Sequence, residues 1–354
     1  MTDSSSWYTP DTYRKGIEVV NPSTSLPTLV EQALEARSGL LESLHQTDTS
    51  LYRVFHGATE GHPGLTVDRY GPNLLIQSWR EIPPEAELRE VRALVSRELG
   101  QDLGLVCYDR SKRGDLQRTL VELSSEALVG NELGVRYDVE LVHRGIDPLL
   151  FLDFRAARRL IRERAAGKSV LNLFAYTCGI GVAAAVGGAK EVLNVDFAQH
   201  ALDVGRRNAE LNEVGDAKFR ILREDCIPVL RQLSGLGVKG KAARRKFTRL
   251  KPQTFDLVVL DPPRLAKSPF GLVDTVNDYQ SLFKPALFST RRGGELLVTN
   301  NVAKVDAEAW IEMLNRCAKK AEREIANVEI VRPERDFPCL DGRHPLKMAW
   351  LTLS

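Results

Sequence analysis

The chain has 354 residues, 43% of them hydrophobic and 27% charged, with a formal net charge of +2. That length is enough for about two domains with a large core, and so small a net charge does not by itself point to a polyanionic partner. No apolar run reaches the ~18 residues of a membrane span, and Met1-Thr-Asp-Ser-Ser-Ser-Trp7 lacks the basic flank and apolar stretch of a signal peptide, so a cytoplasmic protein is expected.

The five cysteines are Cys107, Cys178, Cys226, Cys317 and Cys339. They are odd in number and widely spaced, with no Cys-x-x-Cys pair. That fits reduced thiols and argues against a zinc site, so no metal is expected.

Residues 1–25 are polar and proline-bearing and read as a poorly ordered tail. Leu26 to Leu44 has helical apolar spacing through Leu29, Val30, Ala33, Leu34, Leu40 and Leu41. Tyr52–Phe55, Gly64–Asp68 and Asn73–Trp79 read as short strands between glycine and proline turns. A helix over Pro84–Leu99 and strands over Gly104–Tyr108 and Val135–Val142 complete a small α+β domain, residues 26–145.

From residue 146 to 354 the pattern alternates. Helices are predicted over Phe154–Ala166, 180–187, Gln199–Leu211, Ile227–Leu233, Asp274–Phe288 and Ala307–Glu324. Strands are predicted over 169–174, 191–196, Lys218–Leu222, Phe255–Leu260 and Gly294–Thr299. Val328–Val331 and Met348–Leu353 read as a final hairpin at the sheet edge. Such alternation implies an α/β fold: a mostly parallel, Rossmann-like sheet covered on both faces.

Three clusters stand where strands end. Ser169–Leu173 runs into Phe174-Ala175-Tyr176-Thr177-Cys178-Gly179-Ile180-Gly181, a glycine turn before a helix. On its own this fits both a dinucleotide loop and mere packing. Asp196 ends the next apolar strand, fifteen residues after Gly181, and suits the hydroxyls of a ribose; capping of the following helix is the alternative. Asp225, followed by Cys226, stands after the third strand, where a carboxylate and the next N–H fit an adenine edge, or again a helix cap.

The third cluster, Asp261-Pro262-Pro263-Arg264, follows Leu257–Leu260. Two prolines remove backbone donors and lock φ, which makes a rigid lip at the carboxyl end of a central strand. Such a lip suits a flat heteroaromatic base.

These segments resemble the motif series of class I S-adenosylmethionine-dependent methyltransferases. With Pro63–Tyr70 and Phe151-Leu152-Asp153-Phe154-Arg155, they resemble more narrowly the large-subunit (23S) ribosomal RNA methyltransferases that include cytosine-C5 and guanine-N7 enzymes. The resemblance spans roughly residues 30 to 354. It implies S-adenosylmethionine held by Asn172, Phe174, Ala175, Tyr176, Thr177, Gly179, Gly181, Asp196, Phe197, Asp225, Cys226 and Asp261, with Asp153 and Arg155 at its methionine end. It implies RNA as the substrate, with a small α+β domain ahead of the catalytic one.

The target atom turns on a thiol. Cytosine C5 is a poor nucleophile and needs a cysteine added to the ring. In the cytosine-C5 relatives that cysteine follows the strand matching Glu295–Thr299; here Asn300-Asn301-Val302 follows, as in the guanine-N7 branch. Guanine N7 has an in-plane lone pair and needs only positioning, with Asp261, Pro262, Asn300 and Asn301 as candidate catalytic residues.

Cys339 leaves open a cytosine-C5 enzyme with an unusually placed thiol. A nicotinamide-dependent oxidoreductase and a non-catalytic RNA-binding module are further alternatives. Lys239, Lys241, Arg244, Arg245, Lys246, Arg249 and Lys251 fall in thirteen residues without an acid. With Arg264 they are candidate phosphate contacts, or simply a solvated insertion.

Overall fold

The computed structural model describes residues 24–111, 117–124, 128–143, 145 and 147–354. The tail expected over residues 1–25 therefore falls almost wholly outside the described residues. The chain divides into two units: the residues up to Arg155 with Glu334–Gly342, and Ala156–Pro333 with Arg343–Ser354. The division thus comes at Arg155 rather than at residue 145. Glu334–Gly342, read from sequence as part of the catalytic domain, belongs to the first unit.

In the first unit, helices α1 (Leu26–Ala36) and α2 (Ser38–Gln46) precede strands β1 (Leu51–His56), β2 (Leu65–Tyr70) and β3 (Asn73–Ser78). Helix α3 (Glu85–Leu99), β4 (Gly104–Asp109), β5 (Gln117–Glu122) and the hairpin β6 (Val129–Glu132) and β7 (Val135–Asp138) follow. The sheet runs β1-β2-β3-β4-β5, with α3 as the crossover between the parallel strands β3 and β4. Leu29, Val30 and Ala33 of α1 and Val91 and Val95 of α3 build its core with Val54, Val67, Ile76 and Leu105.

The single helix read over Leu26–Leu44 breaks at Arg37. Arg37 is buried, donates to Ala33 O at 3.1 Å and pairs with Glu60. Apolar spacing carries straight through that break, because a charged residue drawn inward by a partner 23 positions away leaves no local signal.

The loop Glu334–Gly342 is fastened to β1 by buried charges. Asp336 is fully buried and accepts the backbone N–H of Arg53 at 3.0 Å and a guanidinium N–H of Arg155. Arg155, also buried, donates to Glu334 at 2.8 Å and to Leu51 O at 3.0 Å. Arg53 in turn binds Asp68 through two N–H groups, at 2.7 and 3.1 Å, and lies over the ring of Phe337. A charge this deep persists only when paired and hydrogen-bonded.

The second unit follows α4 (Arg155–Arg164), and its elements alternate: β8 (Ser169–Leu173), α5 (Gly179–Val186), β9 (Glu191–Asp196), α6 (Gln199–Leu211), β10 (Phe219–Arg223), α7 (Cys226–Leu233) and β11 (Phe255–Leu260). A hairpin, β12 (Leu265–Ser268) and β13 (Gly271–Asp274), precedes α8 (Gln280–Ser289), β14 (Thr290–Asn300), α9 (Ala307–Lys320), β15 (Ile325–Val331) and β16 (Lys347–Leu353).

The seven strands are ordered β10-β9-β8-β11-β14-β16-β15. The first five are parallel and β16 is antiparallel to both its neighbours, as the alternation and the final hairpin predicted. The order reverses between β8 and β11, so the crevice beyond their carboxyl ends is where an α/β sheet of this type takes a ligand.

The hairpin β12–β13 was not legible in the sequence, and the helix expected from Asp274 starts only at Gln280. Asp274 explains the delay. Its carboxylate accepts the N–H groups of Val276 and Asn277, both at 3.0 Å, which makes a turn of residues otherwise compatible with a helix.

Candidate active site

The loop after β8 is built on unusual backbone. Phe174, Tyr176 and Cys178 have φ of 57°, 49° and 58°, left-handed values that cost a side-chain-bearing residue energy. The expectation that glycine makes this turn is corrected. Gly179 and Gly181 lie inside α5, and Gly181 serves close approach instead, since a Cβ there would collide with Asn194 Oδ1. That oxygen accepts from Asn172 Nδ2 at 2.9 Å, so the buried Asn172 amide is committed to neighbouring strands.

Two groups hold the strained loop. Cys226 Sγ accepts the Phe174 N–H at 3.2 Å and donates to Val195 O at 3.5 Å. Asp196 Oδ2 accepts the Tyr176 N–H at 2.9 Å, while Oδ1 accepts that of Ala198, also at 2.9 Å. Asp196 therefore ties the end of β9 to the loop; the N-cap of α6 is Ala198, with no side-chain bond. Burial raises the Asp196 carboxyl above its ordinary value, against the lowering effect of these N–H donors. The Phe197 N–H also bonds this carboxylate, and a carboxylate's roughly four acceptor positions exceed these three backbone donors. Beside it, Phe197 is 61% exposed.

Asp225 caps α7: Oδ1 accepts the Ile227 N–H at 2.8 Å. Burial raises this carboxyl, and a hydrogen bond from Ser268 of β12 lowers it. The carboxylate read as an adenine contact is thus engaged by a helix terminus and the hairpin.

At the end of β11, Pro262 is buried and Asp261 half-buried. Thr299, fully buried on β14, donates its hydroxyl to Asp261 Oδ1, and its own carbonyl accepts the Tyr279 hydroxyl at 2.8 Å. The Asn300 amide, expected to orient a base, is spent within the fold. Nδ2 donates to Thr275 O and Oδ1 accepts the Val302 N–H, both at 3.0 Å. Asn301 differs: its Oδ1 is buried and finds no hydrogen-bond partner. Lys347, buried on β16, steadies this turn by donating to Val302 O and Pro345 O, both at 2.8 Å.

Thr299, Lys347 and the lacing thiol of Cys226 were not assigned these roles from sequence. The pairing of Leu260 with Val298 brings Thr299 beside Asp261, and nothing local announces that register.

Asp153 and Arg155 lie in the first unit. The expectation that the Arg155 guanidinium grips a ligand carboxylate is corrected, because Asp336, Glu334 and Leu51 O already claim it. Lys239, Lys241, Arg244, Arg245 and Lys246 are exposed in the loop before β11, and Arg264 is half-buried.

A model of the S-adenosylmethionine-dependent methyltransferase family matches residues 52–351. The chain belongs to that family. This methyltransferase takes its methyl group from S-adenosylmethionine, and the oxidoreductase alternative falls. It is 31% identical over 319 residues to ribosomal RNA large subunit methyltransferase I of Aeromonas hydrophila, across 87% of its own length and 75% of the relative's. It is 32% identical over 303 residues to the protein of the same name from Aliivibrio fischeri (strain MJ11), across 83% and 71% of the two chains. The methyltransferase shares its fold with SMU.776, solved in complex with SAH (TM-score 0.76, 23% identity, 94% of this chain and 84% of the other).

Proposed function

We propose that this methyltransferase acts on large-subunit ribosomal RNA and that the atom it methylates is guanine N7. The substrate class rests on the relatives named ribosomal RNA large subunit methyltransferase I. The atom rests on one observation: Asn300-Asn301-Val302, with no cysteine, stands at the end of β14, while four of the five thiols of the chain are buried.

A cytosine-C5 enzyme needs a thiolate. Cys107, Cys178, Cys226 and Cys317 are buried, and burial raises each thiol, Cys107 to about 12. Cys339, in the segment Glu334–Gly342, is raised by burial and by its bond to Asp341 at 3.3 Å. A guanine N7 lone pair lies in the ring plane and needs no covalent activation.

The cofactor supplies an electrophilic sulfonium methyl. Toward it the residues divide as follows. Asp196 takes the ribose hydroxyls on the acceptor capacity its backbone bonds leave open. The strained loop at Phe174–Cys178 lies beside it, tied to Asp196 through the Tyr176 N–H, and Asp225 and Cys226 border the adenine. Asp261 and Pro262 form the rigid lip against which the guanine lies, with Thr299 holding the carboxylate still. The unpartnered Oδ1 of Asn301 offers an acceptor for the N–H donors of the guanine Watson–Crick edge. Catalysis is then a matter of alignment and exclusion of water.

The test is transfer of labelled methyl groups to ribosomal RNA lacking the modification, followed by nucleoside analysis. The expected product is 7-methylguanosine, formed equally by Cys339→Ser. A 5-methylcytidine product that disappears in Cys339→Ser would overturn the assignment of the atom. Absence of any methyl transfer to RNA would overturn the substrate class.

A further inference from the structure

Resting on the reading of RNA as substrate, we infer that the hairpin β12–β13 and the basic loop 239–251 form one docking surface for the single-stranded RNA flanking the target nucleotide. The hairpin leaves the lip directly, three residues after Pro262. Its register places Leu265 opposite Asp274 and Lys267 opposite Leu272, so these four share one face. That face is turned to solvent: Leu265 is 57% and Leu272 52% exposed. The opposite face is internal. Val273 sits in the main core, Ser268 bonds Asp225, and Gly271 approaches Ile227. Two leucines beside a lysine on a solvent-facing strand pair are an apolar surface of the kind bases cover.

The basic loop is joined to this hairpin. Phe247 meets Phe270 at the hairpin's tip edge-to-face, with ring centroids 5.7 Å apart, and Arg249 lies 4.3 Å over Phe247. The loop's ends are pinned. Arg231 donates to Gly237 O at 2.9 Å, and Glu224 accepts the Thr248 N–H at 2.7 Å. The Gln232 amide bridges Thr248 O and the Leu250 N–H, at 3.0 and 3.1 Å.

Yet all seven cations of residues 239–251 are exposed, and none makes an ion pair with a described residue. Like charges gathered on a pinned loop repel one another unless a polyanion neutralises them. Asp274, the acid on the hairpin's outer face, spends its carboxylate on Val276, Asn277 and the Asn277 amide. Phosphates on the loop and bases on the hairpin would lead a strand to Asp261-Pro262.

Two variants test this: one with Lys241, Arg244, Arg245 and Lys246 all changed to Gln, and one carrying Leu265→Ser with Leu272→Ser. Each is titrated with a fluorescein-labelled single-stranded RNA oligonucleotide by anisotropy across a salt series, and with S-adenosylhomocysteine by calorimetry. The loop variant is expected to lose about tenfold or more in RNA affinity. Its log–log salt slope should flatten by up to about 3, near 0.7 per lost phosphate contact. The leucine variant is expected to lose about tenfold with the slope unchanged. Both should bind S-adenosylhomocysteine like the wild type.

If both variants bind RNA as the wild type does, while the wild type methylates ribosomal RNA, the docking surface is overturned and the substrate reading stands. If the wild type neither binds nor methylates RNA, both fall. If the leucine variant changes only the sedimentation coefficient, the face joins copies of this chain and the inference is overturned.

Discussion

Thr299 donates its hydroxyl proton to Asp261 across the parallel pair β11–β14, so the carboxylate at the proposed methyl-transfer lip is oriented by a residue with no acid or base chemistry of its own. Thr299 is fully buried, and its carbonyl is held in turn by Tyr279. A hydroxyl donating to a carboxylate is a charge-assisted bond of about 1.5–3 kcal/mol.

Thr299→Val keeps the shape of the side chain and removes that donor. We expect kcat/KM to fall about tenfold or more, with S-adenosylhomocysteine affinity nearly unchanged, because the loss falls on orientation at the lip. Thr299→Ser should restore most of it. Steady-state kinetics of the two variants checks this, and equal loss in both would assign Thr299 to packing alone.

Gly181→Ala tests close approach rather than backbone freedom. The added methyl meets Asn194 Oδ1, which also receives the Asn172 amide, so either the Asn194 side chain gives up that bond or α5 moves away from β9. Overpacking of this kind costs about 1–3 kcal/mol. A lowered melting temperature and weaker S-adenosylhomocysteine binding by calorimetry are expected together. A variant as stable as the wild type would show that Asn194 swings aside freely.

The raised Asp196 carboxyl makes ligand affinity sensitive to acid. Burial lifts its folded pKa above the unfolded value, so the native protein takes up this proton first as pH falls. Between the two values the proton favours the native state, and stability is not what is lost. What is lost is the ionised acceptor for ribose hydroxyls. S-adenosylhomocysteine affinity is expected to decline with acidification at a pH above the ordinary range of an aspartate, ~3.9. Calorimetry over a pH series should show that step, and Asp196→Asn should abolish it.

Asp336→Ala leaves the buried Arg155 guanidinium without one of its two carboxylate partners and the Arg53 N–H without an acceptor. Breaking such a pair costs about 3–5 kcal/mol, against about 0–1 kcal/mol at an exposed site. Urea unfolding is expected to register the loss. A change below about 1 kcal/mol would mean that water reaches the site once the carboxylate is gone.

The second unit's strand order follows from what the sequence carried locally. Apolar runs bounded by Gly179, Asp196 and Asp261 are strand-plus-turn signals read within a few residues, and right-handed crossovers then leave few arrangements. The glycine turn was legible as a place but not as a mechanism. Its strain lies at Phe174, Tyr176 and Cys178, residues whose left-handed backbone only surrounding contacts can impose.

By itself the sequence determined the alternating α/β sheet, the acids at its carboxyl edge and the absence of a cysteine after β14, because each is a property of neighbouring residues. Only the tertiary structure decided that Arg155 serves Asp336, that Asn300 serves Thr275, that Thr299 serves Asp261 and that the basic loop meets a hairpin. Each of those depends on which residue a polar or aromatic group finds across space. Burial forces polar groups to find some partner, and the register of strands far apart in the chain chooses which one.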